Sequence, residues 1–250
     1  MGPSRRLSMS HSQVRCLCVH LRASSTQPVS SAQTHPRIEG LKANTRDSLL
    51  FVASLFEAPP QLVDINGEVS LKHQLPSAPI RDTAVNAAEK ERQNAQDAKQ
   101  STSVTIFTSD GRHILTGTNK GWINVIETET RQVIYSTHLC SSIIILLRLT
   151  PDGSCMVSNS SDRIIRTIPL PQIPNFRDGV QQMHLGVEHK FQDVVNRLAW
   201  NHVAFSSNGD YVTASTYENH DVYIWERSQG SLVKILEGPR EELGVVEVSN

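Results

Sequence analysis

Two spacings in this chain could begin a metal site. His184 and His189 stand five residues apart in a Pro- and Gly-containing stretch, and Cys16 and Cys18 form a Cys-x-Cys. Zinc needs four N or S donors, or three and a water. No third ligand accompanies the histidines, and no second Cys/His pair lies at zinc-finger distance from the cysteines. Neither spacing reads as a metal site. Cys140 and Cys155 lie near strand-like runs without a local basic and His cluster, so they read as small buried hydrophobes. Gly-rich phosphate loops, His-Glu-x-x-His and Gly-x-Ser-x-Gly are absent. The chain therefore reads as non-catalytic, with no cofactor and no small-molecule substrate.

The elements around these residues belong to a mostly globular chain. It has 250 residues, 38% of them hydrophobic and 5% aromatic. No apolar run approaches the roughly 18 residues of a membrane span, so no membrane partner is expected. Four cysteines are too few for a disulfide scaffold and suit a reducing compartment. The net charge of -1 hides an asymmetry: residues 1–38 hold five arginines and no acid, which leaves the remainder at -6. That remainder has no bulk attraction for nucleic acid, although a local basic patch is compatible with it.

Residues 1–48 are rich in Ser, Arg, Gln, His and Thr with little apolar periodicity. They read as a disordered tail; a mitochondrial presequence is the sharper alternative that an Arg- and Ser-rich, acid-free stretch allows. From residue 49 the pattern turns to short apolar strands. Asn66-Gly67, between Leu62–Ile65 and Val69–Leu71, signals a hairpin. Residues 76–103 form a polar insertion. Its Ala-, Glu-, Lys- and Gln-rich part favours helix, but it lacks the apolar stripe that would dock it.

Three similar units follow, beginning near Val104, Leu147 and Val203. Each runs apolar strand, Asp/Asn-Gly, small-residue strand, polar turn, third strand. The turns Asp110-Gly111, Asp152-Gly153 and Asn208-Gly209 are spaced by 42 and 56 residues. The first interval fits a WD repeat of about 40–45 residues. The excess in the second falls in residues 169–190, which read as a long loop between blades. The unit around Asn66-Gly67 reads as a fourth, degenerate copy.

This order predicts an all-β fold, a WD-repeat β-propeller, incomplete, with about four blades in an open ring over residues 49–250. Asp-Gly and Asn-Gly supply the positive φ of the turns. Thr116-Gly117-Thr118 and Ala214-Ser215-Thr216 suit close packing near a channel. Trp225-Glu226 stands where the repeat's Trp-Asp dipeptide would be, Val125-Ile126-Glu127 is a weaker version, and Asp162 is the turn aspartate six residues before Ile168. An antiparallel sandwich is the competing architecture, and the repeated unit order argues against it.

Several runs carry a closer likeness. They are Gly153-Ser154-Cys155 with Ser161-Asp162-Arg163-Ile164-Ile165-Arg166, Phe191-Gln192-Asp193-Val194-Val195-Asn196-Arg197, and Asp221 to Leu236. Trp200 and Phe205 to Tyr211 also fit. Through these the chain resembles the WD-repeat propeller subunit of COMPASS-type histone methyltransferase complexes, the retinoblastoma-binding-protein-five type. The likeness is strong over residues 104–248, weak over 49–80 and absent over 1–48. It implies a nuclear, non-catalytic scaffold that supports methylation of histone H3 lysine four. The implied partners are a SET-domain methyltransferase, a second WD-repeat subunit and a SPRY-domain subunit, with the nucleosome as a further contact. Against that family the early blades are missing, and the chain stops at Asn250, inside the first strand of the next expected blade.

The resemblance also gives Arg163, Arg166 and Arg197 a role. Family members set basic residues from such segments against nucleosomal DNA, and a guanidinium fork suits phosphate. The alternative is a surface arginine paired with a nearby acid such as Asp162 or Asp193. Glu218 in Tyr217-Glu218-Asn219-His220 interrupts any continuous basic stripe. The competing function is a generic WD-repeat adaptor in another multiprotein assembly.

Overall fold

A computed structural model describes residues 37–67, 69–80, 87–171, 184–195 and 197–238. The described chain forms four antiparallel sheets of four strands each. The first sheet holds β1 (Ile38–Ala43), β2 (Leu50–Leu55), β3 (Ala58–Asp64) and β4 (Leu71–Gln74). Helix α1 (Ala87–Asp97) precedes the second sheet of β5 (Thr102–Phe107), β6 (His113–Thr118), β7 (Trp122–Glu127) and β8 (Val133–His138). The third holds β9 (Ile144–Leu149), β10 (Cys155–Ser160), β11 (Ile165–Pro169) and β12 (His189–Phe191). The fourth holds β13 (Trp200–Phe205), β14 (Tyr211–Thr216), β15 (Val222–Glu226) and β16 (Ser231–Leu236).

Strands within a sheet follow chain order, and the first strands of successive sheets, β1 and β5, β5 and β9, β9 and β13, touch. The sheets therefore converge on their first strands, as blades on an axis. Among the described residues no strand pairing joins the first sheet to the last. The ring is open.

Small and β-branched residues fill the second strands because a blade is covered on both faces. All of β6 and β10 is buried. A Cβ on Gly117 would stand 2.7 Å from Ile144 Cγ2 in the next blade and 2.8 Å from Val104 Cγ1. Larger side chains fill the gaps between blades. Ile106, Leu115 and Ile123 meet Ile144, Met156 and Ile168, and the next gap holds Val157, Phe191, Trp200 and Trp225. The dipeptide position is consistent across blades: Val63, Ile126, Ile168 and Trp225 each pair with the second residue of the second strand and are buried.

The three Asp/Asn-Gly turns share one hydrogen-bond plan. The amides of Thr108, Thr150 and Ser206 donate to the carbonyls of His113, Cys155 and Tyr211 at 2.9 Å each. Their hydroxyls accept from the amides of those same three residues at 3.1, 3.0 and 2.9 Å. The following glycines sit at φ 67°, 75° and 76°.

Three sequence expectations are corrected here. Residues 38–43 form β1, which pairs with β2, so the expected tail does not extend to residue 48; residues 1–36 lie outside the described residues. The fourth copy of the turn is Asn44 to Leu50, where Asn44 N donates to Leu50 O at 2.8 Å. Asn66-Gly67 instead lies between β3 and β4, a different corner of the blade. Finally, the stretch 169–190 joins β11 to β12 within one blade. The outer strand follows the insertion rather than preceding it, which is why the repeat interval lengthened.

Each turn also rests on the turn before it. Asn44 Nδ2 donates to Gly111 O at 2.9 Å, and Thr45 Oγ1 to Ser109 O at 2.9 Å. A Cβ on Gly153 would overlap Ser109 Oγ. Gly153→Ala is expected to lower stability by about 1–2 kcal/mol from the left-handed backbone alone, with the overlap adding to it. Gly67→Ala, which meets nothing closer than 3.7 Å, is the control and should be near neutral in the same thermal or urea melt.

Candidate functional site

The residues singled out by the sequence gather around two adjacent corners, the β10–β11 turn and the β12–β13 connection. In the first, Asp162 organises the turn. Its Oδ1 accepts from Ser160 Oγ at 2.7 Å and Ile164 N at 3.1 Å. Arg166 donates Nη2 to Asp162 Oδ2 at 2.5 Å and Nη1 to Oδ1 at 3.1 Å, a bidentate pair. Arg166 Nη1 also reaches Ser160 Oγ at 2.7 Å and Ile164 O at 3.1 Å. The side chains are 5% and 21% exposed, so the pair is largely desolvated. Burial alone would raise the Asp162 carboxyl; hydrogen bonds from Arg166 and Ser160, with the guanidinium's charge, outweigh it and hold the pKa below the ordinary carboxylate value.

Arg166 is thus not a surface cation. Its guanidinium is occupied by Asp162, which matches the ion-pair alternative and removes it from the candidate contacts. Arg163 behaves differently. It is exposed, sits at φ 67°, and sends Nη1 to Arg197 O at 2.8 Å. Arg197 is exposed at φ 51°, with its amide donating to Asp193 O at 3.0 Å. Two guanidinium-bearing residues from separate blade corners therefore lie side by side. Among the described residues neither is in a salt bridge.

An aromatic cluster holds this arrangement. Trp200 Nε1 donates to Arg163 O at 2.9 Å, and Asn159 Nδ2 to Trp200 O at 3.0 Å. Trp200 meets Tyr223 and Trp225 edge-on at 5.1 and 5.3 Å, and Phe191 lies 5.3 Å from Trp225. Tyr223 Oη donates to Asp193 Oδ2 at 3.1 Å, while Asp193 Oδ1 takes the Val195 amide at 3.0 Å. The loop is thereby pinned at its base, and its tip carries Val194 and Val195, 72% and 90% exposed. Trp225 packs in the core, and Glu226 Oε1 accepts from Ser228 Oγ at 2.8 Å in the next turn. Both signature residues are architectural. Tyr217 and Glu218 are exposed on the β14–β15 turn, and the Tyr217 amide donates to Ala199 O at 3.0 Å.

His184 is exposed and His189 half-buried against Phe191, and no group of three His, Cys, Asp or Glu able to hold a metal occurs among the described residues. Burial pushes the Cys155 thiol up to about 11, so it stays protonated. A cleft of about 630 Å³ lies between the first two blades, lined by Leu62, Asp64, His73, His113, Glu127 and Arg131 among others. Charges of both signs share its wall, and it is separate from the Arg163 corner. Sequence reasoning had no signal for Asn44, for the Tyr223–Asp193 bond or for the Trp200 indole, since each depends on partners from distant segments.

The sheets, their turns and the Trp225 position define a WD-repeat β-propeller. More particularly, the chain is homologous to the Swd1 and retinoblastoma-binding-protein-5 group of such propellers. It is 42% identical over 217 residues to "Set1 complex component swd1" of Schizosaccharomyces pombe, covering 86% of this chain and 48% of that protein. It is 29% identical over 249 residues to "COMPASS component SWD1" of Saccharomyces cerevisiae, covering 97% of this chain and 55% of that one. The crystal structure of the Cps50 (Swd1) β-propeller domain of Myceliophteria thermophila is 47% identical with a TM-score of 0.75, covering 84% of this chain and 64% of that chain. The chain spans about half the length of these two curated relatives. No family model matches it.

The Asp162–Arg166 pair yields a stability test. Asp162→Ala should cost about 2–3 kcal/mol, somewhat less than a fully buried pair because Asp162 keeps some exposure. Since folding lowers the carboxyl pKa, its contribution is complete above the unfolded value of about 3.9 and fades as pH falls through the folded one. The gap between parent and Asp162→Asn in urea melts should therefore close in acid.

Proposed function

We propose that this chain is a non-catalytic scaffold in a COMPASS-like histone lysine methyltransferase complex. In this reading it works in the nucleus and supports methylation of histone H3 lysine four. It docks a SET-domain methyltransferase, a second WD-repeat subunit and a SPRY-domain subunit, and offers one corner to nucleosomal DNA. The observation that carries the DNA contact is the Arg163–Arg197 juxtaposition. The Arg163 fork is held against the backbone carbonyl of Arg197, a second exposed residue of permanent charge, and Trp200 anchors the Arg163 carbonyl. Phosphate oxygens are the natural acceptors for such forks.

Chromatin binding of this kind is read through salt. Each neutralised phosphate contributes a slope of roughly 0.9 in log affinity against log salt. The double variant Arg163→Ala/Arg197→Ala should bind nucleosomes more weakly and with a slope smaller by about 2. Arg166→Met, which removes a buried guanidinium, should leave the slope as it was. An unchanged slope in the double variant would remove the DNA contact from the proposal.

A further inference from the structure

The cleft between the first two blades forms where the β5–β6 and β7–β8 turns face the first sheet. Leu62 and His113 are its most deeply set residues, 3% and 2% exposed, and Leu50 packs beside Leu62. Neither ring nitrogen of His113 has a hydrogen-bond partner among the described residues, and Nδ1 is fully buried. A polar group buried without a partner is costly, and this one borders an open space of about 630 Å³. Burial holds the His113 pKa below the ordinary histidine value, so the ring is neutral at pH 7 and keeps a lone pair. Two half-buried carboxylates share the wall. Asp64 Oδ1 accepts from the Asn66 amide at 2.9 Å and from Asn66 Nδ2 at 2.8 Å. Glu127 Oε2 accepts from Thr130 Oγ1 at 2.7 Å. The second oxygen of each carboxylate has no partner among the described residues. The arginines of the cleft, Arg112 and Arg131, are exposed at its rim.

We propose that this cleft receives a basic side chain, arginine or lysine, from a peptide segment of a protein partner. The cationic head donates to Asp64 Oδ2, Glu127 Oε1 and the lone pair of the His113 ring. All three are acceptors, two of them charged, which is the complement of a group that only donates. The aliphatic stem lies along Leu50 and Leu62. An anion fits less well, because the acceptors are set deeper than the two arginines. The volume is in the range of ordinary ligand sites, about 300–1,000 Å³, and admits the peptide backbone on either side of the entering residue. No residue of the Arg163–Arg197 corner lines the cleft, so the inference stands whether or not that corner meets DNA.

The test is a titration of the full chain, isotope-labelled at its histidine nitrogens, with Nα-acetyl-arginine methylamide, whose side chain is its only charge. The His113 ring signals in the NMR spectrum, assigned by their loss in His113→Gln, should shift saturably. Nα-acetyl-norleucine methylamide, which keeps the stem without the charge, should leave them in place at equal concentration, as should Nα-acetyl-glutamate methylamide. Nα-acetyl-lysine methylamide separates the two basic side chains: the tighter binder of the two cations is the one the cleft selects. Glu127→Gln should weaken arginine binding by about tenfold, the loss of one charge-assisted hydrogen bond. Asp64→Asn should do the same and carries the test should Glu127→Gln melt early. Arg131→Gln at the rim should not weaken binding. No shift with either cation, equal shifts with the norleucine or glutamate probe, or undiminished binding in both carboxylate variants would overturn the site.

Discussion

Everything in this molecule depends on one blade leaning on the next through its first turn. A four-stranded sheet with buried residues on both faces cannot stand in water alone, and its neighbours must cover it. The lean is set where a glycine in the left-handed region brings one turn against the preceding one. Ser109 meets Gly153 and Asn44 meets Gly111, with no room for a side chain on either glycine. Asn44 illustrates how this constraint tolerates variation. The first blade's turn is one residue longer than the others, yet the Asn44 amide and side chain still reproduce the contact.

The last two blades hold their corners in two different ways. In the third, the turn between β10 and β11 closes around the Asp162–Arg166 pair. The guanidinium supplies donors to a carboxylate, a hydroxyl and a carbonyl, leaving only Nε without a partner. In the fourth, aromatic packing replaces ionic order: Trp200, Tyr223 and Trp225 fill the gap against Phe191. The Arg163 and Arg197 corner stands at the seam between these two solutions. Its backbone is held by an indole from one side and an aspartate turn from the other.

Much of this was legible in the sequence, for reasons the structure makes plain. Asp-Gly and Asn-Gly turns are local signals, since positive φ selects glycine whatever the tertiary setting. Trp225 and its apolar counterparts Ile126 and Ile168 fall in register because strand alternation is also local. The first blade was misread because Asn44 does the work of an Asp-Gly turn without glycine, while Asn66-Gly67 copies the signal at another corner. Arg163 and Arg166 looked equivalent in Asp-Arg-Ile-Ile-Arg. Strand alternation puts Arg166 opposite Ser158 on a covered face, whereas Arg163 lies in the turn.

The central claim, a scaffold rather than an isolated propeller, is tested most directly by affinity purification of the tagged chain from nuclear extract. The account predicts recovery of a SET-domain methyltransferase, with activity of the eluate on histone H3 lysine four. Recovery of trafficking-coat or ubiquitin-ligase subunits, with no SET-domain protein, would contradict it and favour a WD-repeat adaptor of another assembly.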